Sequence, residues 1–240
     1  MEERALDYVL VPLGLAVMVI YHVWLLYAVL QTPKTTVIGL NADSRHQWVV
    51  SLMSDPLKNG VLMVQTIRNN IMASTVLATT AITLGSLISV YVSSTANSGN
   101  IASKLVYGNK APITSSVKYM AILLCFLVAF LCNVQSIRYY AHVSFLATLP
   151  TSMGRRDAIE YAARSLNRGS YFWSLGLRAF YFSFPLFLWI FGPIPMFLSS
   201  CIITWLLYFL DTTSTITRDL HSNSMKGEPK IDECNVAEMA

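Results

Sequence analysis

The chain has 240 residues, of which 54% are hydrophobic and only 12% are charged, and its mean hydropathy is +0.50. Soluble domains carry about 25% charged residues, so this composition excludes an ordinary soluble fold. The net charge of +4 is small, and the basic residues stand between apolar stretches, which is typical of membrane topology and argues against a nucleic-acid partner. The sequence therefore predicts an integral membrane protein whose first partner is the lipid bilayer.

The first three apolar stretches each predict one membrane span. The first span covers residues 6–30 and is too long for the core of a cleavable signal peptide. The second covers 71–92 and is predicted to be the upper part of a longer helix that begins near Asn59, after an amphipathic surface helix capped by Asn41. The third covers 117–140 and keeps its helical period as far as Leu149. We expect the second and third helices to extend beyond the bilayer into the cytosol.

The last apolar block runs from Ala179 to Leu210 without a charged side chain and is interrupted by Gly192-Pro193-Ile194-Pro195. As one straight helix it would extend about 48 Å, which exceeds a hydrocarbon core about 30 Å thick. One interpretation is a hairpin of two spans, 171–191 and 194–213, which gives five crossings. The alternative is a single kinked span, which gives four. The hairpin is favoured because the two prolines interrupt the helical hydrogen bonds.

The segments between and after the spans are polar. Residues 93–116 are predicted to form a flexible loop, 154–168 a basic amphipathic segment at the membrane surface, and 218–240 a disordered tail beyond the helical membrane domain of 1–217. Lys and Arg are more frequent in the first and third connections than in the second. The positive-inside rule therefore predicts a non-cytosolic N-terminus. The expected location is the plasma membrane or an endomembrane.

Several polar side chains share the predicted cytosolic level of the spans. Guanidinium forks match phosphate and carboxylate groups, so one interpretation is an inner-leaflet basic site for an anionic lipid headgroup or another anion. The other is that arginines near helix ends reach the headgroups without specific binding. The candidate residues are Arg68, Asn69, Asn70, Gln135, Arg138, His142 and Arg178.

Catalytic chemistry has little support in the sequence. No phosphate-binding loop, metal-ligand pattern or nucleophile with a neighbouring base is present, so no catalytic residue, metal or cofactor is predicted and an enzyme is the weakest hypothesis. Only Asp7 and Asp211 bring a carboxylate to the ends of the apolar stretches, which argues against a carboxylate relay. The second span is rich in Ser and Thr, which indicates helix packing or, in a homo-oligomer, the lining of a pore.

Four motifs carry a resemblance to a known family. They are residues 64–75 (VQTIRNNIMAST), Asn167-Arg168-Gly169, residues 178–185 (RAFYFSFP) and residues 189–193 (WIFGP). With these motifs the chain resembles the plant branch of the family named domain of unknown function 599. The resemblance implies a small multi-span membrane protein found in plants and bacteria, and it implies no reaction, substrate or site.

Two functional hypotheses rank ahead of a membrane-embedded enzyme acting on lipids. The first is transport, a channel subunit, or the handling of lipids or anions through the inner-leaflet basic site. The second is a non-catalytic membrane scaffold whose cytosolic helices and tail recruit partners.

Overall fold

A computed structural model describes residues 2–97, 112–148 and 155–213, and all of its named elements are helices. The predicted all-α helical bundle is confirmed. The predicted tail, 218–240, and the central part of the predicted loop lie outside the described residues. In chain order the elements are α1 (Glu2–Gln31), a 3-10 turn (Pro33–Thr35), α2 (Val37–Ser54), α3 (Pro56–Asn97), α4 (Pro112–Leu146), α5 (Arg155–Leu188) and α6 (Pro193–Asp211).

Four helices have the length and composition of membrane spans: Leu6–Gln31, Leu57–Ser94, Thr114–Leu146 and Pro193–Asp211. Many of their large apolar side chains point outward, as lipid-facing side chains do. The second and third of these segments have 38 and 33 residues and so extend about 57 and 50 Å, well beyond a hydrocarbon core of about 30 Å. The predicted extra length of the second and third membrane-spanning helices, which are α3 and α4 of the structure, is therefore confirmed.

The last apolar block is divided between α5 and α6, and the chain reverses between them. Trp189, just after α5, contacts Asp7 at the start of α1, whereas Asp211 at the end of α6 contacts Tyr21 further along α1. Helix α5 therefore runs antiparallel to α1 and α6 parallel to it, which makes α5 and α6 a hairpin. Helix α5 is not among the four apolar candidates, so a fifth crossing stays a prediction.

Helix α2 begins earlier than the sequence suggested. Its N-cap is Thr36, whose Oγ1 accepts a hydrogen bond from the Gly39 amide at 3.2 Å. The prediction that Asn41 caps this helix was wrong because Thr36 lies in extended backbone directly after the 3-10 turn and supplies the cap five residues sooner. One helical turn is thereby added before Arg45.

Two separate groups of buried side chains hold the molecule together. The membrane core joins α1, α3, α4, α5 and α6, and the extension core joins α2, the start of α3, the end of α4 and the start of α5. The membrane core consists of Val11, Ala81, Ile88, Ile122, Phe126, Ala129, Ala179, Leu186, Trp189 and Met196. The extension core consists of Val49, Leu52, Met53, Met63, Ile67, Tyr140, Val143, Ala147, Ala162, Ala163 and Leu166.

Helices α4 and α5 approach closely at the junction of the two cores. A Cβ atom at Gly169 would lie 2.9 Å from Tyr140 Cε1 and 3.2 Å from Tyr139 Cβ, and one at Gly176 would lie 2.6 Å from Asn133 Nδ2. Glycine at these positions lets the α4 side chains lie directly against the α5 backbone. The same contact fixes the position of α5 along the axis of α4 and so positions the polar residues on both helices.

Candidate functional site

A buried polar centre lies between α1, α5 and α6 in the membrane bundle. Arg178 Nη2 donates to Asp211 Oδ1 at 2.8 Å and to Oδ2 at 2.9 Å, and the Tyr21 hydroxyl donates to Oδ2 at 2.5 Å. The side chains of Arg178 and Asp211 are only 13% and 12% exposed. A charge in the low-dielectric bundle is costly unless it is paired, so Asp211 neutralises Arg178 at this position.

His22 lies beside this ion pair. Its Nδ1 donates to the Met18 carbonyl at 2.8 Å, since a carbonyl only accepts, and its ring centroid lies 4.7 Å from that of Phe182. Two buried atoms, His22 Nε2 and Arg178 Nη1, have no hydrogen-bond partner in the part of the chain that the structure describes. Buried polar atoms of this kind are often satisfied by ordered water.

Arg178 does not lie with the other predicted site residues. It faces α1 and α6, whereas α5 contacts α4 through Gly169, Phe172 and Gly176. The helical period puts these residues on a different face of α5 from Arg178. From the sequence, Asp211 was interpreted only as a residue at the end of a span. Its role as the ion-pair partner of Arg178 was therefore not predicted.

The remaining candidates lie on the surfaces of α3 and α4. Gln135 is half-buried, and the other five are exposed: Arg68, Asn69, Asn70, Arg138 and His142. His142 Nε2 lies 3.1 Å from the Tyr161 hydroxyl. Within the described residues, Arg68 and Arg138 form no ion pair. Their role in anion binding stays a prediction.

Three exposed arginines lie next to or near residues at the junction of the two cores in the sequence. Arg68 follows Ile67 of the extension core, Arg138 precedes Tyr140 of the same core, and Arg168 is adjacent to Gly169, which packs on Tyr140. We call Arg68, Arg138 and Arg168 the basic collar. The collar contributes one positive charge from each of α3, α4 and α5 at the level where the extension meets the membrane bundle.

The opposite end of the membrane bundle has its own polar contacts. Trp189 Nε1 donates to Asp7 Oδ1 at 3.2 Å, and Lys118 Nζ donates to the Trp189 carbonyl at 3.0 Å. The Lys118 ammonium also lies 5.2 Å from the centroid of the Trp189 ring, a cation–π distance. These contacts join α1, α4 and α5 at the hairpin turn.

The extension has polar contacts between α2 and α5. His46 Nε2 and Arg164 Nε lie 2.7 Å from the two carboxylate oxygens of Glu160. Hydrogen bonds from His46 and then Arg164 hold the pKa of Glu160 below its usual value. This cluster is half-exposed, so we assign it a role in positioning α2 rather than in chemistry.

Arg45 makes a different contact with the same helix. Its Nε donates to Asn167 Oδ1 at 2.9 Å, and Asn167 Nδ2 donates to the Ala42 carbonyl at 3.1 Å. Burial lowers the pKa of the Arg45 guanidinium. The sequence singled out Asn167 only as part of a motif, and nothing in the spacing of α2 and α5 indicated that it would meet Arg45.

Comparison with known proteins identifies one relationship. The sequence profile of the family described as "Protein of unknown function, DUF599" matches residues 9–216, a range that includes every residue of both cores. No curated protein and no solved structure matches the chain significantly.

Proposed function

We propose that this chain, a membrane-embedded member of the DUF599 family of proteins of unknown function, handles anionic lipid headgroups, or anions of similar chemistry, at one face of the membrane. The observation that carries this proposal is the basic collar: three exposed arginines, from three helices, at the junction of the extension and the membrane bundle. A guanidinium at that depth meets the phosphate layer of the bilayer.

The orientation of the protein belongs to the same proposal. The extension carries the basic first and third connections, so we place it in the cytosol and the N-terminus on the other side. An anionic cytosolic leaflet then faces the collar. The plasma membrane and the endomembranes both provide such a leaflet, and the four sequence motifs favour the plant branch of the family.

The experiment compares lipids retained by the purified protein. Wild type and the triple variant Arg68→Gln/Arg138→Gln/Arg168→Gln are exchanged into detergent with equal amounts of phosphatidic acid and phosphatidylcholine, and bound lipid is counted by native mass spectrometry. We expect the wild type to prefer phosphatidic acid. A surface charge contributes about 1 kcal/mol to such binding, so the triple variant should lose most of that preference.

A single exposed arginine outside the collar supplies the control. Arg156 lies near the start of α5, three helical turns before Arg168, and is exposed. Arg156→Gln removes one of the exposed positive charges without changing the junction, so we expect it to retain the preference. A triple variant that binds phosphatidic acid as the wild type does would contradict the proposal.

One observation favours a scaffold as the alternative. The extension has a buried core of its own, and it exposes Leu57 by 99%, Val61 by 77% and Phe145 by 71%. Such a surface can recruit a partner protein. Under this alternative, truncation after Arg218 removes a co-purifying partner and leaves lipid retention unchanged, whereas the headgroup proposal requires that the collar variant lose lipid.

A further inference from the structure

Arg45 is a half-buried guanidinium outside the predicted spans that has no carboxylate partner among the described residues. Arg178, the other half-buried guanidinium among the side chains that the structure describes, binds Asp211. Partial burial of an unpaired charge is unfavourable, since the charge loses water and gains no counter-ion. The lowered pKa of Arg45 reflects that loss of water. A bound anion would offset it.

The orientation of Arg45 is fixed by the protein. Asn167 accepts from Nε with its amide oxygen, while its amide nitrogen is held by the carbonyl of Ala42, three residues before Arg45 on the same helix. The amide thus connects α5 to two positions on α2. The two terminal amino groups of Arg45 have no hydrogen-bond partner in the described ranges, and their planar fork fits two oxygens of one phosphate group.

The surroundings of Arg45 suit a headgroup. Tyr140 and Tyr171 lie close enough to interact with it electrostatically. Tyr140 is in the extension core, while Ser136, one turn away on α4, contacts Ser74 of α3 towards the membrane bundle. Asn167, which binds Arg45, directly precedes Arg168 of the basic collar, so Arg45 lies close to the collar. Tyr171 lies one helical turn after Asn167 on α5 and so shares the face of α5 that contacts Arg45. It is 43% exposed, and its hydroxyl forms no hydrogen bond with a described residue, so it is available to donate to the same anion.

We propose that Arg45, held by Asn167 and flanked by Tyr171, binds a phosphate group, either that of a lipid headgroup or free phosphate. This inference rests on the proposed function and names the ligand chemistry of one position within it. The inference also assigns a physical role to each residue of the Asn167-Arg168-Gly169 motif. Asn167 orients Arg45, Arg168 contributes to the collar, and Gly169 admits Tyr140 against α5.

The experiment again counts bound lipid by native mass spectrometry, with phosphatidic acid and phosphatidylcholine as probes. We expect Arg45→Gln to reduce bound phosphatidic acid about fivefold or more, which corresponds to the loss of roughly 1 kcal/mol. We expect Arg156→Gln, which lies away from the proposed position, to reduce it less than about twofold. Arg45→Lys keeps the charge and loses the fork, so it should bind less than the wild type. Equal binding by wild type and Arg45→Gln overturns the inference.

Two further measurements separate the possible outcomes. The melting temperature of each variant shows whether it is folded, and if Arg45→Gln is unfolded, Arg45→Lys and Asn167→Ala decide, because unchanged binding by both overturns the inference. Inorganic phosphate at millimolar concentration is then added. Displacement of phosphatidic acid shows that the position accepts free phosphate, whereas loss of lipid in Arg45→Gln without such displacement identifies the headgroup as the source.

The collar and Arg45 can fail separately. If the collar variant loses the preference for phosphatidic acid and Arg45→Gln keeps it, the proposed function stands and the Arg45 inference falls. If Arg45→Gln loses it and the collar variant keeps it, the broader collar falls and the specific phosphate position stands.

Discussion

The guanidinium groups of Arg178 and Arg45 are bound by opposite kinds of partner. Arg178, inside the membrane bundle, makes two hydrogen bonds to the carboxylate of Asp211, which also accepts from Tyr21. Arg45, in the extension, makes one hydrogen bond to the neutral amide of Asn167. The positive charge is cancelled in the first region and kept in the second.

This difference separates a structural charge from an available one. A paired arginine that is 13% exposed connects helices and has little net charge to offer a ligand. An arginine oriented by an amide has its charge and its terminal donors left for an anion. Sequence alone named Arg178 as a candidate site residue and did not name Arg45, whereas the contacts in the folded protein reverse these roles, so the partner decides the role.

The largest expected effect comes from removing the partner of the structural charge. Asp211→Leu leaves Arg178 buried without its carboxylate, and we expect the free energy of unfolding to fall by about 3 kcal/mol, measured by denaturation in detergent micelles. The double variant Arg178→Met/Asp211→Leu removes both charges and should recover most of the loss. If Asp211→Leu is as stable as the wild type, the distinction between the two arginines is wrong.

A smaller effect is expected where α5 brings Asn167 towards α2. Gly169→Ala places a Cβ within 2.9 Å of Tyr140, and we expect a loss of about 1–3 kcal/mol in stability from overpacking. Gly60→Ala is the matched control, because its Cβ would meet only the Ala147 carbonyl at 4.0 Å. That substitution should be neutral or stabilising by up to about 1 kcal/mol, given the helix propensities. Equal effects of both substitutions would show that the contact with Tyr140 is loose.

The smallest effect concerns pH and the half-exposed contacts of Glu160. Its pKa is lower in the folded protein, so its contribution to stability is present above the unfolded-state pKa of about 4.3. The contribution is lost as the pH falls through the lower folded value. Replacement by Gln should therefore lower the melting temperature at pH 6 and have less effect below about pH 4. The control is Asp157→Asn on the same helix, for which a similar pH dependence would assign the effect to general charge rather than to His46 and Arg164.

Most of the helices were predictable because their signals are local, but the surface segment predicted at 154–168 and the span predicted at 171–191 are joined in one helix, α5, and the loop predicted at 93–116 is helical at both ends. Long apolar runs gave the spans, continued helical period gave the overhanging α3 and α4, and the two prolines near Gly192 gave the hairpin. The cap of α2 was missed because Thr36 and Asn41 are both acceptable capping residues, and only the preceding turn distinguishes them.

The site was less predictable because it depends on contacts between distant residues. The sequence identified Arg178 and noted Asp211, yet their separation of 33 positions closes only when the hairpin forms. Arg45 was not identified as a site residue, since its interaction with Asn167 joins residues 122 positions apart. Hydrophobic period reports which face of a helix is buried, and it carries no information on which polar side chains will meet.

The end of α6 is also tied to the turn that precedes α2. Thr213 donates from its backbone amide and its hydroxyl to the Thr35 carbonyl, at 3.3 and 2.9 Å, and Thr36 forms an isolated bridge with Thr212. These contacts directly follow Asp211 at the end of α6, and they directly precede α2, the helix that carries Arg45. A tensile force applied to the chain beyond residue 213 would therefore act on the start of α2 as well as on the end of α6. The helices that carry Arg45 and Asp211, the partner of Arg178, are thus mechanically coupled although the two arginines share no ligand.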